Sequence, residues 1–335
     1  MNVNKYIVEL KDIVIQYQMK IGTVNAVNNT SLNIERGKIT ALVGESGSGK
    51  TTLASSILGC ITSPGKLVGG EVIFNGINEE KIVINELSEN ELSKFRWDKT
   101  SMVFQAAQSS LNPVMTVWES FYETYHHHYP KATKEEILQK STELLEMVKL
   151  DVNRVLDSYP HELSGGMKQR VMIAFSMLLD PEFIILDEPT TALDVITQDY
   201  IFRILREINI TKNITMLLMT HDLNVVAKFS DFVGVMYAGK IVEYGPTSEV
   251  FKTKKHPYTE GLINATPSLY GDNTNLCSIP GNPPDLKNIT PGCLFCLRCK
   301  FVLEECKKTF PKEIKYNETS FVSCHKVIKE LEEIH

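Results

Sequence analysis

The chain has 335 residues, 43% of them hydrophobic and 23% charged, and a formal net charge of -6 at pH 7. That length fits one large domain or two smaller ones with ample core, and the acidic balance argues against a nucleic-acid binder that works through a broad basic surface. The longest apolar runs fall short of the roughly 20 residues of a membrane-spanning helix, and Met1 to Leu10 carries Lys5 and Glu9, unlike a signal peptide. The expectation is a cytosolic chain able to sit on a membrane protein.

Residues 5 to 80 read as β-rich around a phosphate loop. Strands are predicted at Tyr6–Leu10, Ile13–Tyr17, Leu32–Ile34 and Ile39–Val43, and at Val72–Phe74 before an Asn75-Gly76 turn. Ile39–Val43 is apolar with β-branched residues, hence a buried strand. It runs into Gly44-Glu45-Ser46-Gly47-Ser48-Gly49-Lys50-Thr51-Thr52, which fits the P-loop pattern in full, and a helical stretch from Leu53 to Gly59 follows. The glycines let backbone amides wrap phosphate. Lys50 reaches the β- and γ-phosphates, and the Thr51 hydroxyl ligates magnesium.

Between about 110 and 160 the pattern turns helical, at Glu119–Tyr129 and Lys134–Leu150. The second has a 3.6-residue period at Ile137, Leu144, Leu145 and Val148, with Thr133 as its cap and Glu136 at the capping-box position. His126-His127-His128 points in three directions around a helix, so it reads as a solvated helix end rather than one metal site. Next comes Leu163-Ser164-Gly165-Gly166-Met167-Lys168-Gln169-Arg170, opening an apolar helical stretch from Val171 to Leu179. A helix that begins on exposed glycine amides is a second anion site. One phosphate loop already suffices for one nucleotide, so this second one is surplus.

Phe183–Asp187 is a second buried strand, ending in two carboxylates. Asp187 fits a magnesium partner, direct or through water, and Glu188 a general base that polarises attacking water. Met216–Thr220 is a third apolar strand, and His221 at its carboxyl end points to the ligand crevice of an α/β sheet, where it could contact the γ-phosphate and hold the water. Asp231–Tyr237 and Lys240–Tyr244, joined at Ala238-Gly239, form a closing hairpin. After Pro246 the composition shifts: a short helical patch led by His256-Pro257-Tyr258-Thr259, then the loop Gly281-Asn282-Pro283-Pro284-Asp285-Leu286, then a cysteine cluster. Cys293, Cys296, Cys299, Cys306 and Cys324 crowd one stretch while Cys60 and Cys277 stand alone. In a reducing compartment such a cluster suggests metal rather than disulfides. Cys60 reads as core. No internal repeat appears, so one nucleotide-binding unit is expected, not a fused pair.

The P-loop, Gln105, the LSGGM run, the LDEP acidic pair, Thr191-Ala192-Leu193-Asp194 and His221 occur in the order seen in ABC-transporter ATPase subunits, a resemblance covering about residues 5 to 250. It implies an α/β P-loop NTPase fold: a RecA-like core, an antiparallel β-subdomain and a helical subdomain at about 108–165. The ATPase domain would span 1–250 and a C-terminal cysteine-rich extension 251–335. It also implies head-to-tail dimerisation, in which Ser164, Gly165 and Gly166 face ATP held by the partner's P-loop. Gln105 would sense magnesium and couple to two transmembrane subunits. Asp194 would lie in the loop crossing the interface, and Tyr17 would stack on adenine. Leu111-Asn112-Pro113-Val114-Met115 would line the groove that receives a transmembrane-subunit helix.

The HPYT segment, the GNPPDL loop and Pro291-Gly292-Cys293-Leu294-Phe295 with Arg298-Cys299 narrow the resemblance to ATPase subunits of oligopeptide and dipeptide importers. Some of these hold a 4Fe-4S cluster in the extension. Cys293, Cys299, Cys306 and Cys324 fall on that family's four cysteine positions, and four thiolates are the usual complement. Cys296 departs from the pattern and leaves alternative ligation, or zinc, open. The resemblance implies an ATP- and Mg2+-dependent subunit peripheral to the cytoplasmic face of the membrane. It would work with a second, different ATPase subunit, two permease subunits and, indirectly, a substrate-binding protein, with no nucleic acid. Related importers carry oligosaccharides or nickel, so cargo stays open. A soluble, non-transport ABC ATPase is the other reading, which a tandem ATPase pair or a long coiled coil would favour; the chain has neither.

Overall fold

The computed structural model describes residues 4–20, 22–78, 80–105, 110–191, 193–266 and 278–333. Met1 to Val3, Ala192 and Cys277 lie outside them. The order is β1 (Tyr6–Met19), β2 (Gly22–Glu35), β3 (Ile39–Val43), α1 (Lys50–Ile57), β4 (Gly65–Asn75), β5 (Lys81–Val83), α2 (Glu89–Asp98), β6 (Thr100–Val103), α3 (Val117–His128), α4 (Lys134–Met147), α5 (Val152–Leu156) and α6 (Gly165–Ser176). There follow β7 (Phe183–Asp187), α7 (Val195–Lys212), β8 (Thr215–Met219), α8 (Leu223–Phe229), β9 (Phe232–Tyr237), β10 (Lys240–Pro246), α9 (Thr247–Thr253), α10 (Pro257–Asn264), α11 (Glu304–Lys308), β11 (Ile314–Lys315), β12 (Phe321–Val322) and α12 (His325–Glu332).

Two sheets carry the fold. The larger runs β11-β12-β10-β9-β3-β8-β7-β6, and the smaller, antiparallel one runs β2-β1-β4-β5. In the larger sheet β6, β7, β8, β3 and β9 are mutually parallel, and β3, β7 and β8 are buried along their whole length. Such strands read as continuous apolar runs because helices cover both faces. All of their carboxyl ends then open on one edge, where ligands of open α/β sheets bind. The two strands predicted at Tyr6–Leu10 and Ile13–Tyr17 are one strand, β1. Its pairing with β2 shifts register between Leu10 and Ile13, around Asp12 at φ 50°, so a bulge bends the strand without ending it.

Three large apolar clusters, and a small fourth around Val322, Cys324 and Val327, divide the work. One packs α3, α4, α6 and α7 under the β6–β8 side, with Phe121, Leu144, Leu145, Val171 and Ile204 buried. A second joins the small sheet to α1. The predicted start of α4 carries a structural reason: Thr133 Oγ1 accepts the Glu136 amide and the Glu136 carboxylate accepts the Thr133 amide, a reciprocal capping box; the helix ends at Met147, short of the predicted Leu150. The third cluster includes β9, α10 and the cysteine segment, where Phe295 meets Tyr237 edge-on at 5.2 Å and Tyr258 at 5.4 Å. The segment after residue 250 also lengthens the main sheet, because Val322 and Phe321 pair with Glu243 and Tyr244. Among the described residues no helix is long and apolar enough to cross a membrane.

Candidate active site

The loop from Gly44 to Gly49 rises out of buried β3 and lies against neighbouring backbone. A Cβ on Gly49 (φ 101°) would stand 2.4 Å from the Ala26 carbonyl oxygen, and one on Gly44 (φ 152°) 2.1 Å from that of Met236, so only glycine fits either position. Gly49 is the N-cap of α1 and supplies no side-chain cap, which leaves the positive end of the helix facing the loop's hollow. Lys50 Nζ donates to the Gly44 carbonyl (2.8 Å), the Glu45 carbonyl (3.1 Å) and Ser48 Oγ (3.3 Å). Burial lowers its pKa, against the pull of Glu188 and Asp187.

Two strand ends bring acids to the same place. At the end of β7 the Asp187 Oδ2 accepts the Thr51 hydroxyl at 3.0 Å; burial raises the Asp187 pKa, and Thr51 and Lys50 oppose the rise. Glu188 has left-handed backbone, φ 47°, and its amide donates to the Met219 carbonyl of β8 at 2.9 Å. Such a conformation in a non-glycine residue persists only where its surroundings impose it. Here it sets the carboxylate between two partners: His221 Nδ1 at 2.7 Å from Oε1, and the Thr191 hydroxyl, which donates to Oε2 at 2.9 Å.

A cavity of about 620 Å³ connects these groups, a size typical of small-ligand sites. Loop and helix residues line one side: Gly44, Ser46, Gly47, Gly49, Lys50, Thr51 and Thr52. Gln105, Asp187, Glu188 and His221 line a second side, and Tyr17, Val24, Ala26 and Leu286 the uncharged remainder. Thr51, Asp187 and Gln105 offer oxygen donors beside a buried carboxylate, the donor set that suits Mg2+.

Several predicted residues lie elsewhere. Glu45 turns its carboxylate to Arg298, whose Nη1 and Nη2 donate at 2.8 and 3.0 Å. Ser48 is buried under the loop, its amide donating to the Glu45 carbonyl at 3.2 Å. Ser164, Gly165 and Gly166 form the start of α6, where Ser164 Oγ accepts the Met167 amide at 3.3 Å; none of them lines the cavity. Asp194 caps α7 and also holds the Thr197 hydroxyl, at 2.6 Å. Of the predicted groove stretch, Leu111 is buried while Val114 is 78% exposed.

The cysteines do gather. Cys293, Cys306 and Cys324 are buried, Cys296 and Cys299 half-buried, and all five are free thiols. Backbone amides point at two sulfurs: Phe301 donates to Cys299 Sγ at 3.4 Å and Leu303 to Cys306 Sγ at 3.5 Å. Burial pushes the Cys293 thiol up to about 12. Among the described residues no group of three or more Cys, His, Asp or Glu side chains is placed to hold a single metal ion. Cys60 is a correction: α1 ends at Ile57, and Cys60 beyond it is exposed, not core. The three histidines do sit at the end of α3, with His127 and His128 edge-to-face at 5.5 Å.

Sequence reasoning missed Val24, Ala26 and Leu286 as cavity residues, and Arg298 and Tyr258 as supports of the loop. The Tyr258 hydroxyl accepts the Glu45 amide at 2.9 Å. Leu286 belongs to a motif visible in the chain, but nothing local says where that loop lands.

Comparison with known proteins agrees with this geometry. Residues 27–191 match the ABC transporter family, and residues 242–306 the oligopeptide/dipeptide transporter C-terminal region. The dipeptide transport ATP-binding protein DppD of Caldanaerobacter subterraneus is 42% identical over 95% of this chain and 96% of its own length. The oligopeptide transport ATP-binding protein OppD of Escherichia coli is 40% identical over 97% and 94%. Among solved structures, the ATP-binding cassette MJ0796, described as a dimer in a post-hydrolysis state bound to ADP and Pi, superposes with a TM-score of 0.63. It is 34% identical and covers 72% of this chain and 98% of its own.

Proposed function

The chain belongs to the ATP-binding subunits of ABC importers of the oligopeptide/dipeptide family, and on that premise we propose how its residues divide the work. It is the ATPase that powers an oligopeptide/dipeptide importer, and its partners include membrane permease subunits. The observation that carries the assignment is the single cavity in which Lys50, Thr51, Asp187, Glu188 and His221 meet.

Loop amides and Lys50 hold the β- and γ-phosphates, while Thr51, Asp187 and Gln105 hold Mg2+, which neutralises phosphate charge when bound. Glu188 takes a proton from water as the water oxygen attacks the γ-phosphorus. The bond from that phosphorus to the β–γ bridging oxygen breaks, giving ADP and phosphate. His221 and Thr191 fix the Glu188 carboxylate, so orientation is in place before the reaction. Glu188→Gln keeps the shape and removes the base. In the assembled transporter it should bind ATP normally, trap a closed dimer and lose about 100-fold or more in turnover; wild-type phosphate release would remove Glu188 from this role.

Ser164, Gly165 and Gly166 complete the ATP site of a second ATPase subunit, with Asp194 in the loop between the two. That none of them lines this chain's own cavity supports that reading. We favour a different subunit as partner, hence a heterodimer, docked at the cytoplasmic face. The ATPase domain is assigned to 1–250, its helical subdomain to about 108–165 with exposed Val114 at the permease groove, and the cysteine-rich extension to 251–335.

In that extension Cys293, Cys299, Cys306 and Cys324 fit a 4Fe-4S cluster, with Cys296 as an alternative ligand. A single zinc ion would draw four thiolates to within about 2.3 Å of one point. A cluster takes one thiolate per iron, and what favours it here is that Cys293, Cys299, Cys306 and Cys324 fall on the four cysteine positions of the family. Anaerobically purified protein should be brown and contain iron; colourless protein with stoichiometric zinc would overturn the assignment.

A further inference from the structure

Leu286 comes from the loop after α10, yet it lines the nucleotide cavity with Tyr17, Val24 and Ala26. The placement is built, not incidental. Asn25, at the edge of β2, gives both its amide (3.0 Å) and its side-chain Nδ2 (3.3 Å) to the Leu286 carbonyl. The Asn25 side chain is itself held by Gln16 Nε2, which donates to Oδ1 at 2.8 Å. Gln16 and Asn25 are cross-strand partners, next to the pair Tyr17 and Val24. The loop therefore adds one rung to the edge of β2 where the uncharged end of the cavity lies.

The other end of the same loop is tied to the P-loop. The Arg298 side chain is only 6% exposed. Its Nε donates to the Pro280 carbonyl at 2.9 Å and its Nη2 to the Ile279 carbonyl at 3.4 Å, while the guanidinium forks onto the Glu45 carboxylate. One buried cation thus fixes the root of the 279–286 loop against the phosphate loop. Fork geometry of this kind is specific to arginine.

We propose that the C-terminal extension forms part of the base-binding pocket: Leu286 packs against the purine opposite Tyr17, and Arg298 is the positioning residue that holds the loop in place. This rests on the cavity binding ATP with phosphates at Lys50. The remaining end is lined by an aromatic ring and three aliphatic side chains, which suits a flat, largely apolar base and not a phosphate. The extension is then a component of nucleotide recognition. A change in the order of the cysteine segment would reach ATP through Arg298, which lies between Cys296 and Cys299 in sequence.

The test compares ATP with inorganic tripolyphosphate, which has the phosphates and no base, on the full-length chain. Leu286→Ala should raise the Kd for ATP roughly three- to tenfold, the loss expected for part of a buried leucine side chain, and leave tripolyphosphate binding unchanged. Leu286→Met, which keeps an apolar wall, should bind both like wild type, and this variant guards against a folding defect. Arg298→Lys keeps charge but not the fork, and should weaken ATP more than tripolyphosphate. Equal ATP affinity for wild type and Leu286→Ala, or equal losses for both ligands, would overturn the proposal. Wild-type protein that binds neither ligand would instead overturn the site assignment beneath it.

Discussion

Helix α1 begins behind Gly49 with no side chain capping it, whereas α6 begins behind Ser164, whose own hydroxyl accepts the Met167 amide. Both starts carry glycines and both present backbone amides. The first opens into a cavity that also holds Lys50, Asp187 and Glu188. The second shares no cavity with those groups. A helix N-terminus attracts anions wherever it lies, so the amides alone do not distinguish the two. What distinguishes them is whether a lysine, a metal-binding pair and a base stand within reach. Only α1 has that company in its own chain. Under the proposed dimer, a partner's α6 finishes this chain's site, and the isolated subunit is an incomplete enzyme.

That contrast can be broken by experiment. The largest effect is expected from Ser164→Arg, which places a bulky cation where a partner's phosphate would sit. Turnover at the opposite site in the assembled transporter should fall about 100-fold, on the scale of losing a transition-state donor, while ATP affinity at this chain's P-loop stays within about twofold. A fall in its own affinity would show that α6 serves its own site. Next in size, Lys50→Ala should weaken ATP binding at this chain's site roughly 10- to 100-fold, the worth of a charge-assisted hydrogen bond or two. Equilibrium binding of a fluorescent nucleotide reads this directly. The smallest effect is expected from Ser164→Ala. It should cost about 1 kcal/mol in denaturant unfolding, an ordinary cap, with nucleotide affinity unchanged. A cost near zero would mean the cap bond contributes nothing, and α6 would be as open as α1.

The cysteine region teaches the complementary lesson. At the P-loop the phosphate-binding residues follow one another at fixed spacing, because strand, loop and helix are consecutive. The cysteines are spread from 293 to 324, and long-range packing sets their places: Phe295 on Tyr237 and Tyr258 beside Cys293 and Cys296, and Val322 and Val327 around Cys324. Their spacing pointed to metal. Spacing does not report where sulfurs stand, and among the described residues they are not arranged around one ion.

Strand β3, the capping box of α4 and the closing hairpin of β9 and β10 were legible because each is decided within about ten residues. The hairpin turns at Ala238-Gly239, where both residues have positive φ, as its turn type requires. Helix α7 was not predicted, although Ile201, Phe202, Ile204, Leu205 and Ile208 lie on its buried face; its first turn, Val195 to Gln198, does not keep the apolar period, because Val195 and Ile196 are exposed. Cys60 was expected in the core because it follows an apolar helical stretch, but Gly59 takes a left-handed φ of 59° past the end of α1, and Cys60 is exposed.

By itself the sequence determined the nucleotide chemistry: a lysine and hydroxyl on one loop, an acid pair on one strand end, a histidine on another. Parallel strands put all carboxyl ends on one edge, so chain order alone carries those groups together. Tertiary structure alone decided that Glu45 faces Arg298 rather than phosphate. It alone decided that Leu286, 261 residues from Asn25, closes the apolar end of the cavity. Contacts at such separation depend on how separately folded pieces pack, and no local pattern of residue types encodes that.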